Sequence, residues 1–313
     1  MTRSPRSGVR GSRVGIWLAL VLLVAVVSAL LAGGARSASR ATGMITFTRM
    51  ADGGLYRVRS TGGEIALLAP VGAETQGQPE NPEWSPDGSK LAFESGWRIW
   101  VMDADGSDLT PLTGRVRRER NVFHGAALSP SWSPDGRRIA YTRGSLAMDR
   151  KEDRDVWVMN ADGSNKHRLV RTADCAEHLL DWSPTGGRLV TPCGSGGLIV
   201  MNVVGANARS LLPAPAIYAL DWAPDGRRIV LFGFTRVGGG ISVIDADSGS
   251  LVRLTGNNPH VTDPAWSPDG TRIAFARTSG RIGIFVMKPD GTGVTRLTSG
   301  RHFSPAWQTT TAP

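Results

Sequence analysis

The sequence predicts an all-β fold: a six-bladed β-propeller of four-stranded antiparallel blades. Its ring is closed by pairing of an N-terminal with a C-terminal strand, and an apolar N-terminal export or anchor helix precedes it. Three observations predict this. Trp84, Trp132, Trp182, Trp222, Trp266 and Trp307 recur at spacings of 48, 50, 40, 44 and 41 residues, a period that builds propellers and solenoids. Five of these tryptophans open one motif: Trp84-Ser-Pro-Asp-Gly88, Trp132-Ser-Pro-Asp-Gly136, Trp182-Ser-Pro-Thr-Gly186, Trp222-Ala-Pro-Asp-Gly226 and Trp266-Ser-Pro-Asp-Gly270. Finally, each end of the chain carries an unmatched strand pattern, Ile45 to Arg49 and Ser304 to Gln308.

Each element of the repeat follows from local chemistry. Proline presets the backbone angle of a turn, Asp tolerates the next position, and Gly accepts the left-handed conformation that closes a hairpin. Period-two apolar residues come next, Leu91 and Phe93, Ile139 and Tyr141, Ile229 and Leu231, Ile273 and Phe275, which is strand patterning. A third strand, continuously apolar and so covered on both faces, is expected at Ile99 to Met102, Val156 to Met159, Leu198 to Met201, Ile241 to Ile244 and Ile284 to Met287. An Asp- and Gly-rich turn then leads to a last strand carrying Leu-Thr, as in Leu112-Thr113, Leu254-Thr255 and Leu297-Thr298. Four antiparallel strands joined by tight hairpins make one blade. The strand of Trp307 is expected to pair with Ile45 to Phe47, completing the sixth blade and leaving no open sheet edge.

This repeat resembles the TolB-like propeller repeat, a relative of the WD-type repeats, over residues 45 to 308. The resemblance implies an extracytoplasmic, non-enzymatic adaptor that binds a protein, peptide or glycan partner in the cell envelope. The alternative is a metal-dependent hydrolase or lactonase with its site in the central channel. Neither a Gly-x-Ser-x-Gly elbow nor the strand-helix alternation of an α/β-hydrolase is present. A phosphate loop, a Cys-x-x-Cys pair and a His-Glu-x-x-His helix are likewise missing.

Charge narrows the partner class. Of the formal +9, six charges come from Arg3, Arg6, Arg10, Arg13, Arg36 and Arg40 in the first 43 residues, which hold no acid. The propeller is left near +3, too little to argue for nucleic acid. Arg115, Arg117, Arg118 and Arg120 form one basic run, read as a solvated loop because no aromatic stacking platform accompanies it in the sequence.

Residues 14 to 32 are uncharged and apolar behind an arginine-rich start, an export signal. Nineteen residues lie between a cleaved signal peptide and a spanning helix, so residues 1–40 are read as a signal peptide or an N-terminal membrane anchor and residues 41–313 as the propeller. Both readings place the propeller outside the cytoplasm, periplasmic, secreted or anchored to the outer face of the membrane. Membrane contact is confined to residues 14–32 if they are retained, and a monomer is expected. Cys175 and Cys193, the two cysteines of the chain, belong to the Trp182 blade and are a disulfide candidate in an oxidising compartment, with buried thiols as the other outcome.

Two sets of residues carry candidate chemistry. His124, His178, His260 and His302 precede blade tryptophans by eight, four, six and five residues, where the chain runs into the innermost strands near the channel mouth. Convergent imidazoles there would bind a transition metal or, when protonated, a carboxylate. Glu83, Asp181 and Asp221 sit directly before Trp84, Trp182 and Trp222. They would either hold a divalent cation such as calcium in the channel or accept hydrogen bonds between blades. No cofactor is expected in the adaptor reading. The turn aspartates Asp87, Asp135, Asp225 and Asp269 are read as structural, and the six tryptophans as packing between blades.

Overall fold

The computed structural model describes residues 40–310 apart from 71–74, 76, 121, 148–152, 171–178, 194–196, 205–206, 213–215 and 236–237. The sheets follow the repeats. β1 (Arg40–Arg49), β2 (Gly54–Arg59) and β3 (Ala66–Ala69) begin the ring. β4 (Glu80–Trp84), β5 (Lys90–Ser95), β6 (Arg98–Asp103) and β7 (Thr110–Pro111) form the next blade. β8 (Arg117–Glu119), β9 (Val122–Trp132), β10 (Arg138–Ala147), β11 (Asp153–Asn160) and β12 (His167–Val170) form the third sheet. After these come β13 (Asp181–Trp182) to β16 (Arg209–Leu212), β17 (Ile217–Trp222) to β20 (Leu251–Arg253), and β21 (Val261–Trp266) to β24 (Thr295–Arg296). The chain ends on β25 (His302–Thr310), which pairs antiparallel with β1, Ile45 opposite Trp307.

The ring is therefore closed by the two chain ends. Its sixth sheet has the order β25-β1-β2-β3, and contacts between innermost strands run β4, β9, β13, β17, β21, β25 and back to β4. Each blade tryptophan is 4–6% exposed and packs between two successive blades. Trp307 joins Ala274, Ile284 and Val286 of one blade to Ile45 and Phe47 of the next, and Trp132 joins Ile99 and Val101 to Ile139 and Met159. Arginines at the start of second strands add a cation-π contact to the tryptophan of the following blade: Arg138 on Trp182 at 5.0 Å, Arg188 on Trp222 at 5.1 Å, Arg228 on Trp266 at 4.8 Å.

All five turns share one backbone bond, from the glycine amide to the carbonyl of the residue after the tryptophan. In the first full blade Gly88 N–H donates to Ser85 O at 2.8 Å, Ser85 Oγ donates to Asp87 Oδ1 at 2.6 Å, and Ser89 N–H donates to the same oxygen at 3.0 Å. Gly88 has φ +70°, the left-handed region only glycine enters freely. Thr185 replaces the aspartate in one turn, and its hydroxyl meets Ser183 Oγ at 2.9 Å instead. Hydrogen bonds from Ser133 and Ser267 hold the carboxyls of Asp135 and Asp269 below the usual range against the opposing effect of burial, which agrees with their structural reading.

Two details differ from the sequence reading. The Leu-Thr pairs lie just beyond the fourth strands rather than on them. Leu112, Leu254 and Leu297 donate their amides to the carbonyls of Ile99, Ile241 and Ile284 at 2.8 Å, while the hydroxyls of Thr113, Thr255 and Thr298 accept the amides of those same isoleucines at 3.0, 2.9 and 2.9 Å. A side chain thus completes the backbone ladder where the strand leaves the sheet. The basic run stays exposed, but Arg117 and Arg118 belong to strand β8 rather than to a loop, with Arg115 and Arg120 flanking it. Arg118 lies 5.4 Å over the ring of Phe123, which is itself 4.3 Å from Trp97, so aromatic neighbours come from a distant hairpin and from the following strand.

Candidate functional site

The innermost strands place the acidic residues around the axis. A strand alternates its side chains, so residues three apart should face opposite ways. Glu80 and Glu83 escape this because the pairing of β4 with β5 shifts between them, and Asn81 inside the shift has φ +47°. The same bulge recurs three residues before the tryptophans at Ser129, Asp263 and Ser304, with φ +48°, +50° and +48°, each followed by proline. One extra residue restores the facing.

Carboxylates then link successive blades. Glu83 Oε1 accepts the amide of Trp132 at 3.0 Å and the hydroxyl of Ser131 at 3.4 Å. Ser131 Oγ lies 2.9 Å from Asp181 Oδ1 and accepts the amide of Trp182 at 2.9 Å. Asp181 Oδ2 accepts the amide of Trp222 at 2.7 Å, and Asp221 Oδ2 accepts that of Trp266 at 2.5 Å. In four blades the residue before the tryptophan therefore holds the tryptophan amide of the next blade. The chain of bonds ends where Ala265 and Ala306 lack an acceptor side chain; there Ala265 offers its carbonyl to Trp307 Nε1 at 3.1 Å.

These acids also act on one another. Burial pushes the carboxyls of Glu83 and Asp221 well above the usual range, and Asp181 adds repulsion to both. Asp181 is pushed up to about 6, again by burial, with hydrogen bonds from Trp222 and Ser131 opposing the shift. Glu83 feels Asp221 as well, although the innermost strands β9 and β13 lie between theirs around the ring. A second tier lies four and three residues before the tryptophans. Glu80 is exposed, yet desolvation raises it, with repulsion from Asp263 on β21 next. Asp263, raised by burial, uses Oδ2 to accept the amide of Ser304 at 2.9 Å. None of these five acids forms an ion pair among the described residues.

The histidines are dispersed. His124 Nδ1 lies 3.0 Å from Ser145 Oγ, and its Nε2 is 3.9 Å from Glu119. His260 is exposed, its amide bound to Asn258 Oδ1 at 3.0 Å. His302 is buried, with Nδ1 2.8 Å from Thr298 Oγ1, and His178 lies outside the described residues. These three candidate histidines have different partners, and no three described His, Cys, Asp or Glu side chains stand close enough to share a metal ion. Cys193 is buried at the end of β14 (Arg188–Cys193), and Cys175 lies outside the described residues. The apolar segment 14–32 does too; among the described residues no helix is long and apolar enough to cross a membrane. Sequence reasoning named Glu83, Asp181 and Asp221 but missed Glu80 and Asp263, whose signal was the residue-Pro-x-Trp pattern around them.

No family model matches the chain. A curated relative, the Tol-Pal system protein TolB of Anaeromyxobacter sp. (strain K), is 35% identical over 102 residues, which are 32% of this chain and 22% of that protein. The chain therefore matches under a quarter of its length. Among solved structures, TolB from Acinetobacter baumannii superposes with a TM-score of 0.66 at 18% identity, covering 92% of this chain and 71% of that one. A chain of the nidogen/laminin complex gives 0.65 at 13% identity, covering 86% and 99%, and an oligogalacturonate lyase in complex with manganese gives 0.51 at 12%, covering 79% and 70%. The fold is that of a TolB-like six-bladed β-propeller.

Proposed function

We propose that this propeller works by binding, as an extracytoplasmic adaptor whose acidic channel mouth receives a cationic segment of a protein or peptide partner. One observation carries the reading: the Glu80 carboxyl, raised by desolvation, is also repelled by Asp263, and no ion pair among the described residues neutralises either acid. Apposed carboxylates in a partly desolvated passage attract a lysine or arginine, which relieves their repulsion on binding. The deeper tier differs, since Glu83, Asp181 and Asp221 all hold tryptophan amides of the next blade, whereas at the mouth Asp263 alone holds an amide, that of Ser304. Of the protein, peptide and glycan partners the fold admits, a cationic polypeptide suits this charge best.

Likeness to TolB in sequence and fold, together with the export signal of residues 14–32, supports a place in the cell envelope. Likeness to a chain of the nidogen/laminin complex supports protein binding by this architecture. The test is capture from an envelope fraction with the tagged chain, compared with a Glu80→Gln, Asp263→Asn variant at about 0.15 M salt. A partner held by the parent chain and lost from the variant is expected. Identical captured sets would contradict docking at the mouth.

The rival reading, a metal-dependent hydrolase or lactonase, rests on the likeness to the manganese-bound lyase. Stoichiometric metal in the purified chain by elemental analysis would favour it.

A further inference from the structure

Beside the closing strands lies a cavity of about 580 Å³ whose walls include Arg49, Met50, Ile65, Gly300, Arg301 and His302. It shares none of these residues with the acidic channel lining. Its volume is that of a small-molecule site, and its chemistry is asymmetric.

His302 supplies one end. The side chain is 6% exposed, and its ring lies 4.6 Å from that of Phe47. Thr298 Oγ1 accepts the amide of Ile284 at 2.9 Å and lies 2.8 Å from His302 Nδ1; the site proposed below takes the hydroxyl as the donor of that pair. With Nδ1 accepting, the proton of the neutral imidazole sits on Nε2. Burial, with Arg49 and Arg296 adding repulsion, keeps the ring neutral down to about pH 4.

Gly300 keeps that proton accessible. A Cβ built on Gly300 would stand 3.2 Å from His302 Nε2, and the residue has φ +121°, a conformation closed to ordinary side chains. Among the described residues Nε2 has no hydrogen-bond partner, and His302 lines the cavity, which leaves that nitrogen open to a ligand there.

The charge comes from Arg301. Arg49 also lines the cavity, but its guanidinium is bound to Asp52 and Tyr56, so its charge is balanced within the protein. Arg301 is exposed and makes no ion pair among the described residues, while its carbonyl, fixed by the amide of Met50 at 3.0 Å, anchors the backbone at the cavity. Met50 and Ile65 supply an apolar wall. A directed neutral donor, an unpaired guanidinium and an aliphatic surface suit a carboxylate that carries an apolar tail.

We propose that this cavity is a carboxylate-binding site, taking the carboxylate of a small aliphatic ligand on His302 Nε2 and Arg301, with the tail against Met50 and Ile65. The same chemistry is offered by a free short-chain acid and by the C-terminus of a peptide.

The experiment is calorimetric titration of the full chain with isovalerate, isovaleramide, and Gly-Gly-Leu with a free or an amidated C-terminus. Isovalerate is expected to bind at one equivalent with a Kd of about 1 mM or tighter, and isovaleramide to bind at least about tenfold more weakly. Arg301→Gln, at an exposed position, is expected to weaken isovalerate about tenfold without altering thermal unfolding. The 15N resonance of His302 Nε2 should move on titration of the unaltered chain. Free Gly-Gly-Leu binding more tightly than isovalerate assigns the site to peptide C-termini, and the reverse order assigns it to free acids. Equal affinity for acid and amide, unchanged binding by Arg301→Gln, or no saturable binding up to about 10 mM would overturn the proposal. Loss of channel docking leaves these titrations unaffected, so the two proposals fail separately.

Discussion

Replacing Asp181 separates two roles its carboxylate combines, hydrogen-bond acceptor and buried charge. Its pKa moves from 3.8 to about 6, so at pH 7.5 holding the charge costs roughly 3 kcal/mol relative to an unfolded chain, as an order of magnitude. Against this stand the bonds to Trp222 N and Ser131 Oγ. Asp181→Asn keeps one oxygen for the Trp222 amide and turns its NH₂ toward Ser131 Oγ, an acceptor as well as a donor. At pH 7.5 this variant should therefore lie within about 1 kcal/mol of the parent chain or exceed its stability by up to about 2 kcal/mol. Asp181→Ala leaves the Trp222 amide buried without a partner and opens a small void, a loss of about 2–4 kcal/mol. At roughly 2–4 °C per kcal/mol for a domain this large, its Tm should fall by about 4 to 16 °C. The pH dependence has a definite sign. A carboxyl whose folded pKa is raised favours the folded state when protonated, so the parent chain should gain on Asp181→Asn as the pH falls through 6 toward 4. Calorimetric and denaturant unfolding of the three chains at pH 7.5 and pH 5 measures all of this. Asn and Ala variants equally destabilised at pH 7.5 would refute the reasoning, because then the charge rather than the acceptor would hold the ring.

Thr113→Val keeps the shape of the clasp but leaves the Ile99 amide unmet, so denaturant unfolding should show a loss of about 1–3 kcal/mol. His302 has its folded pKa lowered to about 4, so its neutral form stabilises the fold above the ordinary value near 6.5, and that contribution is lost as the pH falls from about 6.5 to 4, by roughly 1–3 kcal/mol. A His302→Gln variant should lose that slope in a stability profile across the same window. Cys175 and Cys193 are expected to be joined: thiol counting on unfolded, unreduced chain should find none and, after reduction, two; two before reduction would contradict the bond.

Much of this fold was legible because its determinants are local. Trp-Ser-Pro-Asp-Gly fixes a turn through atoms within five residues, and even Thr185 keeps the motif by offering a hydroxyl where a carboxylate was expected. Ring closure was legible too, since Ile45 to Arg49 and Ser304 to Gln308 each lacked a partner until joined. What escaped the sequence depends on geometry between blades. Glu83, Asp181 and Asp221 were named as a set, but which amides they hold follows from the rotation that sets one tryptophan beside the next blade. Glu80 reaches the channel only through the bulge at Asn81, a reversal that simple alternation cannot reveal. The basic run gained its aromatic neighbours because Trp97, in another hairpin, folds against Phe123. The histidines' common place before the innermost strands suggested that they converge, yet offsets of eight, six and five residues put the described ones at unlike places along the chain.

The ring exists only when β25 closes it, since that strand carries Trp307 opposite Ile45 and touches β4 as well as β21. Thermal unfolding of a chain lacking residues 303–313 tests this most directly. Loss of Trp307 alone is worth about 3–5 kcal/mol, and opening the ring adds exposed edges on both sides, so cooperative unfolding of the whole propeller should be lost or its Tm lowered by more than about 10 °C. A truncated chain that melts within about 2 °C of the full chain, with the same cooperativity, would contradict the closed ring.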